Sequence, residues 1–188
     1  MPENRDYSQK SDEELAVLAL GDPGLFSHLI ERYQEKLARY IRRISGVSIQ
    51  ETEDLLQDVF IKVYQNLNDF DDSLKFSSWI YRVAHNETIS NFRRKKARPQ
   101  NAILEDSQEF LSRLASDFNL EKEINRRELK DTVGKALEQI DEKYCEVLVL
   151  RFFEEKDYRE ISDILKKPIG TVAAWLNRAK KQLKEHLE

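Results

Sequence analysis

From Asp157 to Leu183 the chain reads DYREISDILKKPIGTVAAWLNRAKKQL, and two short helical patterns stand end to end in it. Asp157 followed three residues later by Glu160 has the spacing of a capping box, in which each side chain bonds the other residue's backbone N–H at a helix start. Tyr158, Ile161, Ile164 and Leu165 then recur on one face at the helical period. Lys166-Lys167-Pro168 interrupts the pattern, since proline cannot continue a helix. Ile169-Gly170-Thr171 opens a second helix through Val172, Leu176, Ala179 and Leu183. Two short helices with a tight turn, the second one basic, make a helix-turn-helix pattern, whose first helix crosses the phosphate backbone and whose second lies in the major groove. Thr171 stands where free helix N–H groups can meet a phosphate, and Asn177, Arg178, Lys180, Lys181 and Lys184 extend the basic face. The plain alternative is an amphipathic hairpin carrying solvated lysines.

Upstream, Ile124, Leu129, Val133, Leu137 and Ile140 keep the helical period. Asp141 is an expected N-cap, and Tyr144, Val147, Leu148, Leu150 and Phe152 continue the pattern. This gives a helical domain over 124–188. Between 99 and 123 the periodicity weakens among Pro99, Gln100, Asn101, Ser107, Ser112, Ser116 and Asn119, which reads as a linker. The first part of the chain carries four helical patterns. Ser11 with Glu14 caps a short first helix through Leu15, Leu18 and Ala19, ended by Gly21-Asp22-Pro23-Gly24. Phe26, Leu29, Ile30, Tyr33, Leu37, Tyr40, Ile41 and Ile44 mark a long second helix, stopped at Ser45-Gly46. A third runs through Leu55, Leu56, Val59, Phe60, Val63, Tyr64 and Leu67, and a fourth through Trp79, Ile80, Val83, Ala84, Ile89 and Phe92. We divide the chain into an N-terminal tail with a short helix (1–23), a first domain (24–98), a linker (99–123) and a second domain (124–188).

Composition agrees with an all-α, two-domain protein. Charged residues make up 35% of 188, hydrophobic residues 40%, and there are only 5 Gly and 4 Pro, too few for a turn-rich sandwich or barrel. Cys145 is the one cysteine, so no internal disulfide forms, and no apolar run approaches the ~20 residues of a membrane span. The first residues carry neither a secretory nor a transit signal, and a cytoplasmic location is expected. The net charge of -4 conceals opposite blocks. Residues 51–72 hold seven acids against Lys62, residues 79–98 hold six bases against Glu87, and residues 166–184 hold six bases and no acid.

In the acidic block, positions 54, 57, 58 and 61 share one helix face, so Asp54, Gln57, Asp58 and Ile61 make a polar patch with an apolar edge that suits a basic partner. Reading these acids with Asp69, Asp71 and Asp72 as metal ligands of a phosphoryl-transfer enzyme has little behind it. His28, His85 and His186 are isolated, and neither a cofactor nor a metal is expected. The fourth helix and the loop before it combine aromatic and basic groups, the means by which proteins hold an unpaired base and single-strand phosphates. Trp79, among Ile80, Val83 and Ala84, is read as core rather than as a base platform.

Three blocks carry a family resemblance: ETEDLLQDVF (51–60), FSSWIYRVAHN (76–86), and DYREISDIL (157–165) with PIGTV (168–172). In order and spacing they resemble the extracytoplasmic-function, or group IV, bacterial sigma factors of the sigma-70 family. The resemblance covers about 24–98 and 124–187. It implies a non-enzymatic protein that binds core RNA polymerase, at the β′ clamp helices and the β flap, and directs it to promoter DNA. The first domain (sigma-2) would open the -10 element and the second (sigma-4) would read the -35 element. Asp54, Gln57 and Asp58 stand at clamp-docking positions. By the same resemblance the loop 70–76, with Phe70, Ser73, Lys75 and Phe76, would receive a flipped base. Asn86 would hold the separated strands, and Arg82, Arg93 and Arg94 would contact phosphates. Thr171, Ala174, Trp175, Arg178 and Lys181 would face the -35 duplex.

Ser90 replaces an acid common in the family, and Ala173-Ala174-Trp175 replaces a basic or small polar triplet, so the family's usual promoter sequence does not carry over to this chain from the resemblance. The chain stops at Glu188, just past the last helix, and control by a separate anti-sigma factor is expected. The rival from another class is a stand-alone helix-turn-helix regulator. It gives no reason for an acidic docking helix directly before a strand-binding one.

Overall fold

The computed structural model describes residues 7, 9–95, 137 and 139–187 and, within these, every side chain but those of 92–95 and 186–187. All regular structure among the described residues is helical: α1 (Asp12–Gly21), α2 (Phe26–Ser45), α3 (Ile49–Gln65), α4 (Phe76–Lys95), α5 (Glu142–Leu148), α6 (Tyr158–Leu165) and α7 (Ile169–Leu187). Short 3-10 turns cover Pro23–Leu25 and Leu67–Asp69. The linker lies outside the described residues.

Local chemistry sets the ends. Both expected capping boxes form: Glu14 N–H donates to Ser11 Oγ at 3.1 Å and Glu160 N–H to Asp157 Oδ1 at 2.8 Å, and each glutamate accepts the reciprocal N–H. A third, Ser48 with Glu51, starts α3. Gly46 closes α2 at φ 65°, a left-handed conformation that glycine adopts without steric cost. Lys166 closes α6 at φ 53°, so the turn of the helix-turn-helix is made by a strained lysine followed by Pro168.

In the first unit α2 supplies Leu29, Tyr33, Leu37, Tyr40 and Ile41 to a core shared with Leu55, Val59 and Val63 of α3 and Phe76, Ile80 and Ala84 of α4. The expected division at residue 23 is not respected by this core. Leu15, Ala16 and Ala19 of α1 are buried in it, Asp12 accepts bonds from Arg32 (2.7 Å) and Tyr33 (2.6 Å), and Glu13 accepts the N–H of Phe76 at 2.9 Å. A short helix with an apolar side gains more by burying that side than by trailing as a tail.

In the second unit Val147 and Leu148 of α5 pack with Ile161 and Ile164 of α6 and with Val172, Leu176, Ala179 and Leu183 of α7. The pattern expected to run unbroken from Asp141 to Phe152 instead changes at Val149. A π turn spans Val149–Phe153, with Glu154 N–H donating to the carbonyl of Val149, five residues back, at 3.1 Å. Asp141 occupies the N-cap position, but its side chain makes no capping bond and lies 3.5 Å from Lys143 Nζ.

The second unit rests on α2 and α4, where the buried apolar residues of both units form one continuous cluster and polar contacts complete the seam. Glu154 accepts from Arg43 at 2.9 Å and from the Tyr81 hydroxyl at 2.5 Å. Glu146 Oε1 accepts from the Tyr40 hydroxyl at 2.8 Å and meets His85 Nδ1 at 2.5 Å. Arg43 also lies over the Phe153 ring, and the Lys156 ammonium over the Tyr81 ring.

Candidate polymerase and nucleic-acid interfaces

Because Leu55, Val59 and Val63 point into the core, the opposite side of α3 is fixed toward solvent, and Asp54, Gln57, Asp58 and Ile61 are all exposed along it. The lone cation of the acidic block, Lys62, is engaged by Glu87 of α4. Neither Asp54 nor Asp58 forms an ion pair among the described residues, so the carboxylates stay available to an external cation. Tyr64 was read into the buried series, yet it is 44% exposed and continues the apolar edge begun by Ile61. Its ring stands 5.2 Å from Phe26. The helical period places 61 and 64 on neighbouring positions of one face, a signal present in the sequence.

The loop before α4 is held from both sides. Asp71 accepts the Ser73 N–H at 3.0 Å and its hydroxyl at 2.6 Å. The Ser73 bonds hold the Asp71 carboxyl below the usual carboxylate range. Beneath the loop, Phe70 packs on Phe76 and Trp79, each 5.3 Å between ring centres, and Phe76 packs on Tyr33. Phe76, expected to face a base, has no exposed surface. As the first residue of α4 it points into the core, so it supports the loop from below and Phe70 is the partly exposed ring. Trp79 is core, as read. Leu74 at the loop tip is 52% exposed and was missed, because a single leucine between polar residues carries no periodic signal. Ser73 and Lys75 are exposed, Asn86 is exposed on α4, and Arg82 is half-buried. The side chains of Arg93 and Arg94 lie outside the described residues.

Burial of Val172, Leu176, Ala179 and Leu183 turns the other side of α7 outward. Ala174, Asn177, Arg178 and Lys181 are exposed there and Thr171 is half-exposed. Trp175 is half-buried against the core, so much of its surface supports the helix. A methyl group on Gly170 would meet nothing within 4 Å, so the chain's own packing does not require glycine at this position. The Arg178 guanidinium donates to the Tyr144 hydroxyl at 3.4 Å, which ties the exposed face to α5.

Two family models match the chain in this order: Sigma-70 region 2 over residues 29–98 and Sigma-70, region 4 over residues 130–183. The ECF RNA polymerase sigma factor SigW of Bacillus subtilis (strain 168) is 32% identical over 171 residues, which are 89% of this chain and 91% of that protein. The chain belongs to the extracytoplasmic-function sigma factors of the sigma-70 family. This sigma factor binds core RNA polymerase and directs promoter-specific initiation, its region 2 unit opening the -10 element and its region 4 unit reading the -35 element. Sigma factors as a family are in general not enzymes. Two solved structures share the sigma factor's fold. CnrH in complex with the cytosolic domain of CnrY aligns at TM-score 0.69 and 24% identity, covering 95% of this chain and 97% of that one. The sigma factor RpoE in complex with the anti-sigma factor NepR, from Bartonella quintana, aligns at TM-score 0.62 and 18% identity, covering 86% and 96%. No helix among the described residues is long and apolar enough to cross a membrane.

Proposed function

We propose that the sigma factor docks on the β′ clamp helices through the outward face of α3, with Asp54, Gln57 and Asp58 pairing with basic groups and Ile61 and Tyr64 covering an apolar strip. The observation that carries this is the un-neutralised carboxylate face whose own cation, Lys62, is taken by Glu87. Loop 70–76 then receives a flipped non-template base, with Phe70, Ser73 and Lys75 at its mouth, Phe76 underneath, and Asn86, Arg82, Arg93 and Arg94 along the strand. Thr171, Ala174, Arg178 and Lys181 meet the -35 duplex, and Trp175 supports them. The first domain extends to about residue 98 with α1 built into it, residues 99–123 link, and 124–188 form the second domain. The protein acts in the cytoplasm by positioning polymerase, without a catalytic residue of its own. An anti-sigma factor controls it, a reading supported by the complex in which the related fold of RpoE is held by NepR.

The test is the triple substitution Asp54→Ala, Gln57→Ala, Asp58→Ala. Exposed positions of this kind shift stability by about 0.5 kcal/mol at most, so helicity and melting should stay unchanged. Co-purification with core polymerase should be lost. A folded triple variant that binds core at wild-type strength overturns the docking assignment.

A further inference from the structure

Asn177 stands exposed in the middle of α7, a helix of 19 residues. Asparagine is among the weaker helix formers, because its amide competes for backbone groups, and it is favoured at caps and turns instead. Here the side-chain amide makes no hydrogen bond to any described residue. The helix bears a small cost for this residue, and the packing of the unit takes nothing from it.

The surroundings of Asn177 decide what its amide can meet. Each residue of a helix turns the side-chain direction by about 100°. Val172, Leu176, Ala179 and Leu183 face the core, which puts Ala174 and Lys181 on the line opposite, with Asn177 on one side of that line and Arg178 on the other. On the line itself Ala174 has no hydrogen-bonding group, and Lys181 Nζ lies 3.8 Å from the Glu185 carboxylate. A methyl side chain at 174 lets the helix come close to the floor of a groove, which brings a side chain as short as asparagine within reach of base edges. On one flank the Tyr144 hydroxyl draws the Arg178 guanidinium toward α5. On the other, half-buried Lys180 is held over the Phe152 ring, at the rim of the face. The exposed centre of α7 thus presents two planar groups suited to paired hydrogen bonds, Asn177 and Arg178.

We propose that Asn177 is a base-reading residue of this sigma factor, one that selects an adenine in the -35 duplex. This rests on the assignment of α7 to that duplex. The amide oxygen accepts from the adenine N6 amino group while the amide NH2 donates to N7, a pattern that adenine alone presents in the major groove. The Arg178 guanidinium carries donors and no acceptor, so it takes guanine and cannot replace asparagine at adenine. Ala174 contributes at most contact with a thymine methyl. The promoter preference of the chain is therefore carried by positions 177 and 178, not by the triplet Ala173-Ala174-Trp175. Lys180, Lys181 and Lys184 add affinity through phosphates without sequence information.

The test gives the sigma factor, assembled with core polymerase, a pool of duplex promoters randomised across the -35 element, and sequences the DNA retained. The wild type should enrich adenine at one position by about tenfold, within the discrimination of one bidentate pair. Asn177→Ala should flatten that position and leave the others as enriched as before, and Asn177→Arg should replace the adenine by guanine. Both substitutions bring in a better helix former, and circular dichroism checks that α7 persists. A folded Asn177→Ala complex that enriches the wild-type sequence at every position overturns the proposal. So does a uniform loss of binding across all sequences, which would make Asn177 a phosphate contact. Arg178→Ala in the same pool separates the proposal from the assignment beneath it. If Arg178→Ala flattens a position while Asn177→Ala changes none, α7 reads the element without Asn177. If neither variant changes any position, the assignment of α7 to the -35 duplex falls as well.

Discussion

Glu13 Oε1 accepts the backbone N–H of Phe76 at 2.9 Å, so the first helix caps the fourth across 63 residues of sequence. The first N–H groups of a helix lack intrahelical acceptors, and here a distant carboxylate supplies one. Glu13→Ala should lower stability by about 1 kcal/mol, the usual cost of losing a cap. Glu13→Gln should retain part of it, and amide exchange in loop 70–76 should quicken. Unchanged melting in Glu13→Ala would show the cap to be idle.

Gly170→Ala separates folding from recognition. The added methyl meets nothing within 4 Å, so α7 should gain about 0.5–1 kcal/mol from the reduced freedom of the unfolded chain. If the backbone at Gly170 approaches a phosphate, duplex affinity falls while the melting temperature rises. A stabilised variant with full affinity would remove the glycine from the interface.

Closure of the seam should depend on pH in the alkaline range. Burial first, and the neighbouring Glu146 and Glu154 next, hold the Tyr40 and Tyr81 phenols protonated well above their ordinary value of 10.0. Below about pH 10 their contribution is fully present, and it is lost as pH rises further, because the released form gives up its protons first. Burial pushes the Lys156 amine down from 10.5, so between its lowered value and 10.5 that group strengthens closure as pH rises. Above 10.5 only the phenols act. Scattering and tyrosinate absorbance, followed together, should show expansion and ionisation in one step, and Tyr40→Phe should move that step. Ionisation that precedes expansion would place the phenols outside the seam's control.

The two basic surfaces should fail differently. Arg178→Glu should weaken recruitment to duplex promoters, whereas alanines at Arg93 and Arg94 should impair opening and be rescued by a template mismatched across the -10 element. Phosphate contacts contribute by counterion release, with a salt slope of about -0.9 per phosphate on duplex and about -0.7 on single strands. Holding an unstacked base offsets a cost of a few kcal/mol that a mismatched template never incurs. Permanganate footprinting on paired and pre-opened templates reads the difference. Rescue of Arg178→Glu but not of the Arg93/Arg94 variant would reverse the assignment.

The helices and both expected capping boxes were legible because periodicity and capping are local: Asp157 and Glu160 announce α6 without reference to anything else. The exposure of α3 was legible for the same reason, since Leu55, Val59 and Val63 fix which face remains. Phe76 and Tyr64 exchanged roles relative to the reading because an aromatic at a helix end can turn either way, and only the neighbours in space, Tyr33 for one and Phe26 for the other, decide it. The cap from Glu13 and the seam on Glu146 and Glu154 could not be read at all. Each partner looks like an ordinary surface acid until the fold brings in a group from another part of the chain.

The π turn at Val149–Phe153 gives the seam an unusual sensitivity to chain length. Each residue along a helix advances the side-chain direction by about 100°. Deleting one residue there, which would let α5 continue with ordinary i to i-4 bonding, would swing Glu154 roughly a quarter-turn or more away from Arg43 and Tyr81. Related chains could thus differ in whether their two halves adhere through a single-codon deletion, with every contacting side chain still present.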